Sequence, residues 1–358
     1  MQFLVVIKLS RETESRKLDH IKISLDKKIE FNEKTTGFED IELIHHALPE
    51  LNLSSIDTKI TFLKRKFNAP ILIEAMTGGN ENSKEINEVL AKLALEFNVP
   101  MGIGSQRAGI ENKKVVDSYK IARNVSKDIF LIGNIGGAQL VKGYGIEEVN
   151  TCIEMIEANA IAIHLNPLQE SLQKEGDKNF KGILKRIEEL KNKISVPIII
   201  KETGCGFCKE DLRLLKSIGV KNIDISGAGG TSWAAVEHYR NEKYPALERL
   251  SSTFWDWGIP TVVSTIWASE MGFDVISSGG IRNGLDIAKA INCGALIAGM
   301  AHPFLKHAFY NDLDSLKQQM EQLILELKTA MFLTKSGDIH ALMTAEKIIQ
   351  GKTKNWLY

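Results

Sequence analysis

Short apolar runs recur in this chain at a fixed interval, and that interval leaves little choice of architecture. Pro70-Ile71-Leu72-Ile73, Pro100–Ile103, Ile129–Ile132 and Ala160–Ile163 place equivalent residues at 71, 101, 131 and 161, thirty apart each time. Thirty residues make one strand plus one crossover helix, and strands that read as continuous apolar runs are buried on both faces. Between the first two runs, Ser83 to Phe97 carries Ile86, Leu90, Leu93 and Phe97 at helical spacing. Four further runs follow at Pro197–Ile200, Asn222–Ile225, Phe273–Ile276 and Ala295–Ala298. Eight strands with seven crossovers predict an α/β fold, a (β/α)8 TIM barrel. A doubly wound open sheet is the competitor, but it needs polar and glycine residues at one switch point, whereas here they follow all eight runs.

One domain, 1–358, accounts for the whole chain. Residues 1–68 are expected to cap the barrel of 69–311, and 312–358 to form a helical tail. Leu316, Met320, Leu323 and Leu327 share a register that predicts a helix over 312–333. Runs six and seven lie 51 residues apart. The excess, 231–258, holds Trp233, Tyr239, Tyr244, Trp255 and Trp257, and is expected to form a lid-like insertion over the barrel mouth.

Charge narrows the partners. Lys and Arg number 45, Asp and Glu 45, so no overall positive field would hold nucleic acid or an anionic membrane. Any anion must be held by a local pocket. The run Phe3–Ile7 is too short for a signal core, and no run could span a bilayer. Cys152, Cys205, Cys208 and Cys293 read as reduced thiols. A soluble, cytoplasmic protein is expected.

In a barrel, function gathers at the C-terminal ends of the strands. These ends read Met76-Thr77-Gly78-Gly79, Gly104-Ser105-Gln106-Arg107, Gly133-Asn134, then His164-Leu165-Asn166-Pro167-Leu168-Gln169-Glu170. Lys201-Glu202, Ser226-Gly227-Ala228-Gly229-Gly230-Thr231, Ser278-Gly279-Gly280-Ile281-Arg282 and Gly299-Met300-Ala301-His302 complete the set. Two glycine loops on consecutive strands, with Arg282 and a helix start beside them, favour a phosphate cradle over plain turns. Lys201 closes a buried strand, which leaves two roles: a Schiff-base nucleophile, or a cation beside an electron-rich ring. Glu202 points to the opposite strand face, toward helix packing or an ion pair. Glu170 is either a solvated loop acid or one ligand of Mg²⁺, which takes one or two carboxylates plus substrate phosphate; zinc would need several His or Cys. Arg16-Lys17-x-x-His20 taken alone reads as a wet surface. Cys205-x-x-Cys208 allows a redox pair or half a zinc site, but structural thiols fit better without a second such motif. Gly351-Lys352-Thr353 lacks the earlier glycine of a P-loop.

Taken together, several segments resemble the type 2 isopentenyl-diphosphate δ-isomerase family. They are Arg16-Lys17-x-x-His20, Leu43-Ile44-His45-His46-Ala47-Leu48-Pro49, Met76–Gly79, Gly104–Arg107, His164–Glu170, Ser226–Trp233 and Ser278–Arg282. The glycine loops are shared with other FMN barrels; the Arg-Lys-x-x-His and His-Leu-Asn-Pro-Leu-Gln-Glu motifs are specific. The resemblance implies an isomerase of isoprenoid biosynthesis that interconverts isopentenyl and dimethylallyl diphosphate, using Mg²⁺ and reduced FMN, with NADPH as flavin reductant. It implies that Ala75, Met76, Thr77, Ser105 and Asn134 line the flavin ring, with Lys201 at its N1 side in place of a Schiff base. Ser226, Thr231, Gly280, Ile281, Arg282, Ala301 and His302 would hold the phosphate end. Arg16, Lys17, His20, Ser105, Gln106 and Arg107 would bind the diphosphate, Gln169 the substrate and Glu170 the metal. His164 and Asn166 would support that site, with Lys201, Gln169 and His164 nearest the chemistry. The family suggests a homo-tetramer or homo-octamer, and a small residue is expected where the thiols of Cys205 and Cys208 stand.

No paired side-chain acid and base is evident at the strand ends, so the acid/base work falls to the flavin. The cations are expected to make the mouth strongly positive. Two other readings use the same scaffold: an FMN oxidoreductase of the hydroxyacid-oxidase kind, which needs a His base and Arg clamps, and a non-catalytic flavin-binding module.

Overall fold

The computed structural model describes Lys17 and residues 19–358. Arg16, expected at the substrate, lies outside the described residues. Eight parallel strands close into a barrel in sequence order. They are β1 (Ile71–Ile73), β2 (Met101–Gly102), β3 (Leu131–Gly136), β4 (Ala160–His164), β5 (Ile198–Lys201), β6 (Asn222–Asp224), β7 (Asp274–Ser278) and β8 (Ile297–Met300). Closure comes where Ala298 pairs with Ile71. Each strand starts within two residues of the start of its apolar run, and β3 extends four residues past the end of its run. The open-sheet alternative is excluded.

Side-chain alternation divides the strands between two cores. Ile71, Ile73, Ile161, Ile163, Ile198, Ile200 and Ile223 pack outward against the crossover helices. Leu72, Ile132, Ala160, Ala162, Ile199, Ile276 and Ile297 pack inward, where Phe62, Phe67 and Phe130 join them. Phe62 and Phe67 come from a hairpin, Ile60–Phe62 with Arg65–Phe67. The Arg65 guanidinium reaches the Asp128 carbonyl and the Asn68 N–H reaches that of Asn98, both just ahead of strands. The hairpin therefore plugs the N-terminal end of the barrel.

The first crossover helix, Glu81–Phe97, is capped by Asn80, whose side chain accepts from the Ser83 N–H at 2.9 Å. The tail helix Leu313–Leu333 buries Leu316, Met320, Leu323 and Leu327, as their register predicts. Farther on, Lys347–Ile349 pairs antiparallel with Ile41–Leu43. The segment after that strand joins the tail too, since the Ile44 and His46 N–H groups donate to Glu346 and Leu333 carbonyls.

The described part of the first 68 residues thus works at both ends. Residues 19–26 are helical, and the stretch after them docks at the mouth, where Ser232 N–H donates to the Ile29 carbonyl at 2.7 Å and Phe31 N–H to that of Gly230. The insertion after β6 forms helices Trp233–Arg240 and Pro245–Thr253. Trp255 packs edge-on to His238 and Tyr239 and donates from Nε1 to the Glu30 carbonyl at 2.9 Å. Of its aromatic residues only Trp233 lines the central cavity, while Trp257 is 60% exposed. No described helix is long and apolar enough to cross a membrane.

Candidate active site

Inward-facing positions set the barrel floor. Two residues beyond Leu72, Ile132, Ala162, Ile199, Ile276 and Ile297 stand Glu74, Asn134, His164, Lys201, Ser278 and Gly299. Asp224 joins them from β6, because its neighbours Ile223 and Ile225 pack outward. Lys201 Nζ lies 2.6 Å from Asp224 and 3.0 Å from Glu74. Burial alone would lower the Lys201 ammonium, but Asp224 and then Glu74 outweigh it and hold it protonated well above the ordinary lysine range. A neutral amine nucleophile is therefore not what this setting provides. Asp224 also accepts from Ser278 Oγ, which takes the Ser226 N–H at 2.9 Å. Ser226 holds φ +41°, a strained backbone for a non-glycine residue at a site wall. Beside this cluster, His164 Nδ1 and Asn134 Oδ1 are 2.7 Å apart.

One wall is built from the glycine loops. Gly279 and Gly280 adopt positive φ, 101° and 78°, and press against the Gly227–Gly230 loop. The Gly280 and Ile281 N–H groups donate to no acceptor among the described residues. They sit just ahead of helix Gly284–Asn292, beside Arg282. Burial lowers the Arg282 guanidinium, opposed by Glu30 and Asp286. His302 is lowered by burial and by Arg282, so this histidine does have an arginine neighbour, at the loop end of the cavity. Thr231 and Ala301 complete that wall.

The opposite wall carries the His164–Glu170 segment. Pro167 opens helix Pro167–Leu172, where its fixed φ suits the first helical position. Asn166 Nδ2 donates to Gln169 Oε1 at 3.0 Å and to Glu170 Oε1 at 3.2 Å. Glu170 Oε2 accepts the Asp177 N–H at 2.5 Å. Asn166 Oδ1 is enclosed and has no donor. An unpartnered carboxamide oxygen beside a buried carboxylate is the hard-oxygen setting that Mg²⁺ prefers. Among the described residues no three His, Cys, Asp or Glu gather to hold a metal alone.

The nearby cations among the described residues are engaged. Arg107 Nε lies 2.7 Å from Glu111, and its Nη1 3.4 Å from Asp177. Lys17 Nζ donates to the Ser105 carbonyl at 2.9 Å, to the Gly78 carbonyl and to Tyr119 Oη. His20 Nε2 is 3.0 Å from Glu237 and its ring stands edge-on to Trp233. Among the described residues, acids on adjoining elements offset Arg107, Lys201 and His20, while Lys17 is held by neutral groups and Arg16 lies outside the described residues.

Glu237, fully buried in the insertion, was not singled out by the sequence. It also accepts from Gln173 at 2.6 Å and Arg240 at 2.7 Å. Burial would raise it, yet the hydrogen bond and charge of His20, with Arg240 and Gln173, bring it from 4.5 to about 2. Because the folded value is depressed, this stabilisation is complete above roughly pH 5 and lost as pH falls toward the folded value; it amounts to roughly 3 kcal/mol. Glu237→Gln is expected to flatten the acid limb of stability against pH in urea melts. An unchanged limb would remove the argument.

Two sequence expectations are corrected. Gln106 does not reach the cavity: it is fully buried, its Nε2 donating to the Cys152 carbonyl at 2.8 Å and its Oε1 accepting the Asn134 N–H. Glu202 makes neither an ion pair nor a helix contact through its carboxylate, which instead caps the loop after β5 by accepting the Thr203, Gly204 and Cys205 N–H groups. Burial raises it to about 7 against those donors. Glu74 and Asp224, which the sequence reading did not single out, flank Lys201 at the strand ends. The thiols are quiet. Burial and Glu202 push Cys205 up, while Cys208 caps helix Lys209–Ser217 through Asp211.

All these walls enclose one open cavity of roughly 1710 Å³, measured out to its mouth. Ala75, Met76, Thr77 and Ser105 line it as well.

A buried lysine between two carboxylates on the barrel floor, facing paired glycine loops on a closed barrel, suits one class, the FMN-dependent dehydrogenase family, whose model matches residues 164–349. Solved structures agree on the fold. A flavocytochrome b2 variant with sulfite bound superposes with TM-score 0.65 at 17% identity, over 90% of this chain and 81% of its own. A mandelate oxidase variant with benzoyl-formic acid gives 0.61 at 15%, over 96% and 98%. Much nearer in sequence are curated isopentenyl-diphosphate delta-isomerases. Those of Halobacterium salinarum (45% identity, 97% of both chains), Methanosarcina mazei (44%, 96% of this chain and 94% of that) and Pyrococcus abyssi (44%, 98% and 96%) align almost end to end. The chain belongs to the isopentenyl-diphosphate delta-isomerase family.

Proposed function

We propose that the protein is an FMN- and Mg²⁺-dependent isomerase that moves the double bond between isopentenyl and dimethylallyl diphosphate with the flavin reduced. The observation that carries this reading is the placement of two anion-holding walls on one cavity. The glycine loops with Arg282 stand on one side, the Asn166–Gln169–Glu170 group with Lys17, His20 and Arg107 on the other.

The loop N–H groups of Gly280 and Ile281, with Ser226, Thr231, Ala301 and His302 around them, would hold the FMN phosphate. Thr77, Ser105 and Asn134 would flank the ring, with Lys201 below it. Bound and reduced, the flavin supplies the proton exchange that the isomerisation needs, near a negative charge that favours a cationic tertiary centre. Glu170 and the free Asn166 oxygen would hold Mg²⁺ against the diphosphate. Gln169 would orient the substrate, and His164, steadied by Asn134, would support the same region. Arg107, kept in place by Glu111 and Asp177, would face the diphosphate, while Trp233 and the buried His20–Glu237 pair would exclude water from the hydrocarbon end. NADPH is the proposed source of reducing equivalents, and the exposed Trp257 offers a surface for assembly into tetramers or octamers.

Anaerobic incubation with FMN, a reductant, Mg²⁺ and isopentenyl diphosphate should yield dimethylallyl diphosphate. If none forms, the proposal fails. Glu170→Gln should raise the Mg²⁺ requirement at least tenfold, about 1.4 kcal/mol of metal affinity. Superimposable Mg²⁺ titrations of variant and parent would remove the metal from Glu170.

A further inference from the structure

Glu74 is a second acid where the floor needs one. Lys201 is already matched by Asp224 at 2.6 Å, yet Glu74 adds a carboxylate at 3.0 Å from the same ammonium. All three are almost entirely removed from water, Glu74 at 6% exposure, Asp224 at 2% and Lys201 at 8%. One cation between two carboxylates leaves the cluster net negative. Its remaining oxygen, Glu74 Oε1, is enclosed without a hydrogen-bond donor, and Glu74 lines the central cavity. The barrel leaves space for that oxygen by omitting a side chain, since a Cβ on Gly299 would come within 2.2 Å of it. A bare carboxylate oxygen in such a place is costly while ionised and becomes a usable donor once protonated.

We propose that Glu74 is a redox-linked proton acceptor, taking up one proton from solvent when the flavin bound above the floor is reduced. The inference rests on the FMN reading above. Two electrons and one proton enter the ring, making it anionic. A second proton passes to Glu74 Oε1, and the cluster changes from net negative to neutral. Total uptake is two protons per electron pair, with the electrons coming from an external hydride donor or a chemical reductant. Without this step the charge of Lys201 would be spent on Asp224 and Glu74, and an anionic ring would face a net negative floor.

Burial first, and the neighbouring Asp224 second, raise the Glu74 carboxyl far above the usual range, against the lowering pull of Lys201. Around it, β5 supplies Lys201 and β6 Asp224, while β2, β7 and β8 present Gly102, Ser278 and Gly299. His164 on β4 is turned to Asn134.

The test is the dependence of the midpoint potential of bound FMN on pH, in the parent and in Glu74→Gln. Above about pH 8, where Glu74 of the oxidised protein is a carboxylate, the parent slope should be twice that of the variant, because two protons rather than one accompany each electron pair. Equal slopes with FMN bound overturn the proposal alone. A chain that retains no FMN overturns the functional reading as well, and the absorption spectrum shows this before any potential is measured. A second measurement needs no variant: above about pH 8 the reduced-minus-oxidised infrared difference spectrum of the parent should gain a protonated-carboxyl band. A spectrum without that gain also overturns the proposal.

Discussion

Lys201→Ala is expected to cost about 3–5 kcal/mol of folding stability, because it strips a buried pair of carboxylates of their shared cation. The geometry makes the loss severe. Asp224 and Glu74 lie within 3.0 Å of Nζ, and no other cation adjoins them among the described residues. Glu74 can relieve part of the strain by protonating, as its raised pKa already favours. Asp224, which accepts from Ser278, is then the acid left charged. Lys201→Ala combined with Asp224→Asn should therefore recover more stability than Lys201→Ala combined with Glu74→Gln, as read by urea denaturation of the three proteins. The midpoint potential of bound FMN should also move negative in Lys201→Ala, since the anionic reduced ring loses its nearest cation. An unchanged potential would show that Lys201 serves folding alone.

Gly279→Ala should weaken FMN binding at least tenfold, about 1.4 kcal/mol. A Cβ there would come within 2.3 Å of the Gly227 carbonyl oxygen and 2.5 Å of its nitrogen. Both are backbone atoms of the facing loop and cannot swing aside, and φ of 101° adds strain of about 1–3 kcal/mol. The two glycine loops would have to part, and the Gly280 and Ile281 N–H groups would shift with them. Gly143→Ala is the control. It has φ +116° but nothing within 4 Å of its Cβ, so it carries backbone strain without loop displacement. Flavin fluorescence titrations should show FMN affinity lost in Gly279→Ala and kept in Gly143→Ala. Equal losses would mean that general destabilisation, not the cradle, controls binding.

Much of this was readable from the chain. Burial on both strand faces writes itself into local sequence as an apolar run, and the crossover helix fixes the interval, so β1 to β8 and the tail helix emerge close to their observed bounds. The strand-end motifs likewise marked His164, Asn166, Glu170, Lys201 and the glycine loops as one rim. Gln106 misled because its polar side chain sits amid that rim, yet its amide closes a backbone contact behind the wall. Its neighbours in sequence could not show that the Cys152 carbonyl, 46 residues away, would accept its hydrogen bond.

Local pattern settles which residues alternate inward and outward, because that depends on a strand's own pleat. It does not settle which charges meet. Glu74 stands 127 residues before Lys201, and Asp224 stands 23 after it. His20 and Glu237 meet across 217 residues. Barrel closure and the docking of the first segment on the mouth created those pairs. A net charge of zero is a property of composition, legible at once. That the same balance recurs inside the cavity, acid against nearly every cation, follows from the low dielectric of a folded interior, where an unpaired charge is too costly to keep.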